Sequence, residues 1–171
     1  MGRASNGLET FLRDITLCLS VSRGTSPALV WPQRSELVLG RLTPLGPGSA
    51  CLPMTADALS ARWQHDSDTA ELTSGLGVSL EARVEAVFRP VPVGTSGSSL
   101  GGQADLLLLP VHGGCRAHVE PPRDRPVPPP ADRPLSLRLR VGAAFYVPAG
   151  FTATPSEAYT PCVLLVLSIH T

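Results

Sequence analysis

Several residue groups in this 171-residue chain have the types and spacing to do chemistry. Arg83, Glu85 and Arg89 alternate with Ala82, Val84, Ala86 and Phe88, so a strand over Leu80–Arg89 has one apolar and one charged face. Two arginines with a glutamate between them can hold a carboxylate or phosphate, or position a proton donor. A solvated charged face explains the same alternation. Arg116, His118 and Glu120 are candidate ligand-binding residues; His118-x-Glu120 shares a strand face and could chelate a metal given one more ligand, with His112 nearby. Two solvent-facing polar residues near a strand end are the plainer explanation of that pair. Cys115 is a nucleophile if Arg116 lowers its pKa, and otherwise an inert packing thiol. His65, beside Asp66 and Asp68, reads as a surface loop residue, and His170 as part of a fraying end.

The elements that must position these groups follow from periodicity and breakers. Leu8, Phe11, Leu12, Ile15 and Leu19 form a helical stripe, with Ser5 or Asn6 as a cap. Pro27, Pro32, Pro44, Pro47 and Pro53 break residues 22–53 into loops and short strands, with apolar pieces such as Leu37-Val38-Leu39. Thr55–Trp63 reads as a short helix with Asp57 in its first turn. Beyond Gly77 strands should dominate. Asp105–Val111 is a continuous apolar strand, His112-Gly113-Gly114 a hairpin turn, and Cys115–Val119 the returning strand. Glu120–Pro134, dense in proline, is an extended surface crossing or, on the sharper reading, a docking ligand. Leu135–Val141 alternates again, and Cys162–Ile169 is a strongly apolar final strand.

Composition narrows the function classes. Apolar residues make up 43% and charged residues 16%, with zero formal net charge, which suits one packed domain and lacks the basic stripe of a nucleic-acid binder. All fourteen basic residues are arginine, so no lysine Schiff base is available; with 18 Pro and 16 Gly this bias resembles actinobacterial and other high-GC bacterial proteins. Cys18, Cys51, Cys115 and Cys162 form no C-x-x-C pair and read as free thiols of a reducing cytosol. No stretch has the length of a membrane span or a signal-peptide core, so a cytoplasmic protein without membrane or nucleic-acid partners is expected.

Three segments resemble the cupin and Jumonji-like family. Asp105–Pro122 is similar to its strand, glycine turn and strand ending in Pro-Pro; Leu139–Gly150 carries the glycine and the Tyr-Val-Pro-x-Gly turn; Val163–His170 is similar to the closing strand. The resemblance implies a mainly β fold, a cupin-type double-stranded β-helix (jelly-roll barrel) with one or two N-terminal helices. It would form a single domain over 1–171, with helices, loops and short strands in 1–76 and the barrel core in 77–171. Iron in such enzymes is held by a His-x-Asp/Glu pair and a later histidine. With Asp105 aligned, those positions hold Leu100, Gly102 and Ala153, and the residue that pairs with 2-oxoglutarate falls at Cys115, next to Arg116. No metal and no cofactor are therefore expected, and an iron/2-oxoglutarate oxygenase is the least favoured reading. The resemblance also makes the Arg83–Arg89 strand pocket-lining and puts Tyr146 on the strand leading to the turn. Arg83, Glu85, Arg89 and Tyr146 are thus the catalytic candidates for a metal-independent cyclase or isomerase of bacterial specialised metabolism, acting on a small molecule or modified peptide. The alternative is a non-catalytic substrate-binding or partner subunit of a biosynthetic enzyme complex.

Overall fold

Asp105–Glu120 and Thr152–His170 are the two long strands on which the rest of the chain is hung. A computed structural model describes residues 2–42, 67–124 and 126–171, without the side chains of residues 2–6 and 159. The helix expected over Thr55–Trp63, together with Cys51, His65 and Asp66, lies outside the described residues. In chain order the elements are α1 (Gly2–Ser22), β1 (Ala28–Val30), α2 (Ser35–Arg41), α3 (Ser67–Leu80), β2 (Arg83–Val91), β3 (Leu100–Gly101), β4 (Asp105–Glu120), β5 (Leu135–Arg140), β6 (Ala144–Val147) and β7 (Thr152–His170). The sheet runs β1-β6-β4-β7-β2, with β3 added to β7 and β5 to β4. Every pairing among these named strands is antiparallel.

The unbroken apolar runs in β4 and β7 have a direct physical cause, because both faces of these strands are covered. Leu107, Leu109, Val111, Tyr146, Val163, Leu165, Leu167 and Ile169 face a layer of helices and join Phe11, Ile15, Leu19, Leu39, Leu72 and Leu76 in one cluster. Leu106, Leu108, Phe145, Val147, Leu164 and Val166 face the other way, into the barrel, with Val91, Cys115, Ala117, Val119, Leu139, Phe151, Ala153, Ala158 and Cys162. Helix α1 presents Leu8, Phe11, Ile15 and Leu19 to the sheet, as the stripe requires, but begins at Gly2, so Ser5 and Asn6 lie inside it instead of capping it.

Three elements differ from the sequence expectation. Leu37-Val38-Leu39 is helical, because Ser35–Arg41 turns Val38 and Leu39, with Leu42 just beyond, onto the core. Helix α3 runs to Leu80, past Gly77; it ends with Glu81 in the left-handed region (φ 49°) and an Ala82 N–H donated to the Gly77 carbonyl, a Schellman-type stop. The expected hairpin at His112-Gly113-Gly114 is absent: β4 continues through it. Its pairing with β7 shifts register three times between Pro110 and Arg116, and Gly113 sits at φ 64°. These bulges bend one strand from the helix-backed layer, where it pairs with β6, into the opposite layer, where it pairs with β5.

The proline-dense segment connects β4 to β5, as the plainer reading expected. Its Val127 and Ala131 pack against the barrel cluster, while Pro126, Pro128, Pro129 and Pro130 remain exposed.

Candidate functional site

In the barrel, register decides which residues meet. Strand β3 pairs with the start of β7 so that Leu100 lies opposite Ala153 and Gly101 opposite Thr152. The backbone thus brings together the positions where the family resemblance places iron ligands, and it brings carbon together. Ala153 is fully buried and Leu100 packs on the same cluster. Gly102 contributes its carbonyl, which accepts the Gly150 N–H at 2.9 Å and ties down the Pro148–Phe151 turn. Leucine, glycine and alanine side chains offer no donor atom, so this constellation does not fit iron. Among the described residues, no three His, Cys, Asp or Glu side chains converge as a metal site. An Ala153→His variant tests the packing directly. It should lose about 1–3 kcal/mol in urea unfolding through overpacking and gain no affinity in a cobalt titration.

The charged strand β2 lies at one end of the sheet path. Glu85, Val87, Arg89 and Val91 pair with Ser168, Val166, Leu164 and Cys162, whose apolar members belong to the barrel cluster. The Arg83–Arg89 face is therefore the barrel-side face of the sheet, at its margin. Both side chains of the Arg83–Glu85 pair are open to solvent, at 79% and 49%. Glu85 bridges two partners: Arg83 Nη2 stands 2.6 Å from Oε1, and His170 Nε2 stands 3.7 Å from Oε2. His170 does not fray; it closes β7 opposite Arg83.

Tyr146 does not join this group. It faces the helices, fully buried, and its hydroxyl oxygen accepts the Gly24 N–H at 2.9 Å. Burial is the main cause pushing its phenol well above the ordinary tyrosine pKa; the Gly24 N–H acts against it, and the Asp105 carboxylate adds to it by charge and by accepting a hydrogen bond. The native state thus keeps a proton that an unfolded tyrosine releases above about pH 10. The stabilisation is whole below that pH and declines above it, by up to about 1.4 kcal/mol per pH unit. Tyr146→Phe should flatten this alkaline slope and cost about 1 kcal/mol at neutral pH, read by urea unfolding across pH 8–11.

Asp105, Tyr146's neighbour, enters the sequence reading only as the start of a strand and an alignment anchor, with no role of its own. It is 7% exposed; Oδ1 accepts the Ala149 N–H at 2.8 Å and Oδ2 accepts from Arg23 Nε at 3.3 Å. One carboxylate thereby links the end of α1 to the turn before β7. Nothing local marks it, since Arg23 lies 82 residues away.

Arg116, His118 and Glu120 alternate outward along the second half of β4, while Cys115, Ala117 and Val119 point into the barrel. His118 and Glu120 approach to 3.6 Å, and Arg116 Nε stands 3.3 Å from Glu157. These three candidates share an outer face, separate from the β2 strip. His112, expected in a turn, is a half-buried strand residue opposite Val163.

No family model matches the chain, and no curated protein does. Its fold does match solved structures. The ribosomal oxygenase YcfD of Escherichia coli, in complex with cobalt and succinic acid, superposes with a TM-score of 0.56 at 13% identity over 90% of this chain and 50% of that one. A second YcfD structure gives 0.56 at 14% identity with the same coverage. Hazelnut (Corylus avellana) vicilin gives 0.44 at 18% over 53% of this chain and 24% of its own. The chain spans about half the length of YcfD. Two apolar faces on the long strands, a helical layer on one side and YcfD as a structural neighbour establish a cupin-type double-stranded β-helix with N-terminal helices.

Proposed function

We propose that this chain is a metal-independent binding module that holds an anionic substrate or partner group on the β2 strip for another enzyme. The observation that supports it is the filled barrel. Leu100 and Ala153 pair where the resemblance places an iron centre, and Leu106, Leu108, Phe145, Val147 and Leu164 occupy the space around them. Among the described residues, β2 leaves Arg83, Glu85, Val87 and Arg89 accessible on its barrel-side face, with His170 alongside. Guanidinium groups on a rigid strand suit a carboxylate or phosphate. The bacterial biosynthetic setting rests on the all-arginine, proline-rich composition.

A second reading, a metal-independent cyclase or isomerase acting on a small molecule or modified peptide, draws on one observation: Glu85 contacts both Arg83 and His170, which gives a proton-transfer group with defined partners. Titration of short dicarboxylates and organic phosphates, followed by NMR shifts on β2, distinguishes the two. Binding should weaken about tenfold or more in Arg83→Ala/Arg89→Ala, with no turnover. Turnover by the isolated chain that is lost in Glu85→Gln would establish the enzyme. Stoichiometric iron, nickel or zinc in the purified protein would defeat both readings.

A further inference from the structure

Three arginines gather on the outer face of the β4–β5 pair. Leu137 and Leu139 pack into the barrel cluster, so the alternating Arg138 and Arg140 point outward. By register Arg138 stands directly opposite Arg116, and Arg140 opposite Gly114. Strand β7 extends the same two rows, with Ser156 opposite Arg116 and Thr160 opposite Gly114. Neither row contains an acidic residue. Glu157, next to Ser156 and held in the left-handed region at φ 47°, brings a carboxylate to 3.3 Å from Arg116. Among the described residues no carboxylate pairs with Arg140. Like charges directly opposite each other cost a sheet stability, and a bound anion relieves that cost. The middle of the Arg140 row is also hollow, because Gly113 and Gly114 put no side chain there. A recess of about 450 Å³ opens over these glycines, walled by Arg138, Arg140, Val141 and Thr160. The Thr160 hydroxyl lies against Gly113, 3.0 Å from where a Cβ would stand.

We propose that this recess binds a phosphate monoester, with Arg138 and Arg140 on the phosphate oxygens, Thr160 donating its hydroxyl, and Arg116 adding positive charge from the adjoining row. Residues two apart on a strand stand about 7 Å from each other, so two arginine side chains can converge on one phosphate. Each guanidinium offers a fork of N–H donors that matches the oxygens of such an anion. A dianion suits the site better than a singly charged carboxylate: it answers two arginines at once, and its terminal oxygens give acceptors to both guanidinium groups and the hydroxyl. The recess is larger than a phosphate group, and the exposed Val141 side chain offers an apolar wall to the organic part of the ester. The site lies on the outer face, separate from the β2 strip, so it stands or falls independently of the binding function proposed above.

The test titrates methyl phosphate and, separately, acetate into the full chain and follows NMR shifts. Methyl phosphate should move the amide signals of Gly113, Gly114 and Thr160 and the Nε signals of Arg138 and Arg140, and should raise the Tm. Acetate should bind at least about tenfold more weakly. Arg138→Gln/Arg140→Gln should weaken methyl phosphate binding about tenfold or more, whereas Arg13→Gln on α1 and Arg83→Ala/Arg89→Ala should leave it unchanged at this site. Shifts confined to β2, and lost in Arg83→Ala/Arg89→Ala, overturn this site and leave the β2 strip standing. Equal affinity for acetate and methyl phosphate overturns the assignment to phosphate, and an equal loss in Arg13→Gln overturns the site in favour of diffuse charge attraction. The shift map of the unaltered chain decides the location even if the double variant does not fold.

Discussion

Asp105→Ala should cost about 3–5 kcal/mol, the range for removing one partner of a buried ion pair, and in a domain of marginal stability this brings the chain close to unfolding. The side chain is nearly enclosed, and the substitution removes two acceptors at once, those of the Ala149 N–H and of Arg23 Nε. Arg23 is already strained for partners: its Nη2 is buried without one. Losing the carboxylate therefore leaves a partly buried guanidinium uncompensated, beside a Tyr146 phenol that has lost a hydrogen-bond acceptor. Asp105→Asn keeps an oxygen for the Ala149 N–H and should fall between wild type and Asp105→Ala. Urea unfolding decides the matter; an Asp105→Ala loss below about 1 kcal/mol would show that the link between α1 and the turn carries little.

Gly113→Ala should be nearly as damaging, at about 2–4 kcal/mol, because two penalties coincide. Its φ of 64° is left-handed, which costs a non-glycine residue about 1–2 kcal/mol. An added Cβ would also fall against the Pro161 carbonyl oxygen, within a close β4–β7 approach that cannot open without disturbing both core clusters. Gly24 is the natural control: its φ is 70°, and a Cβ there meets nothing within 4 Å. Gly24→Ala should thus show the backbone penalty alone, and the difference in stability between the two variants measures the crowding at the bend. Equal losses would mean that the bulge tolerates a side chain and that the bend is not fixed by contact.

The fold was legible wherever one residue run answered to one environment. Continuous apolar runs at Asp105–Val111 and Cys162–Ile169 announced strands covered on both faces, and the alternation from Ala82 to Arg89 announced one exposed face. Misreadings arose where the same local signal serves two geometries. Gly113-Gly114 after a strand is written identically for a hairpin and for a bulge that lets the strand continue, and only the β7 partner distinguishes them. Helix α3 was hidden by Gly75 and Gly77, poor helix formers; Gly75 is accommodated because α1 crosses there, and a Cβ on it would stand 2.6 Å from Leu12 Cδ1.

Site residues divided along the same line. Which side of β2 faces the barrel depends on β7, and the direction of Tyr146 depends on a helical layer that no strand pattern reveals. Arg116 stood next to Cys115 in sequence and suggested itself as the thiol's activator, but neighbours along a strand point to opposite faces, and Arg116 turns to Glu157 instead.

The crossing between β4 and β5 bears on how the protein meets proteases. A long exposed connection is the usual place for a first nick. Here Val127 and Ala131 pin it to the barrel cluster, and two of its three arginines, Arg125 and Arg133, are each followed directly by proline, a bond that trypsin does not cut readily. Trypsin is left with Arg123 as its one ready target in that segment, so digestion of the native chain should spare most of a stretch whose exposure alone would mark it for cleavage.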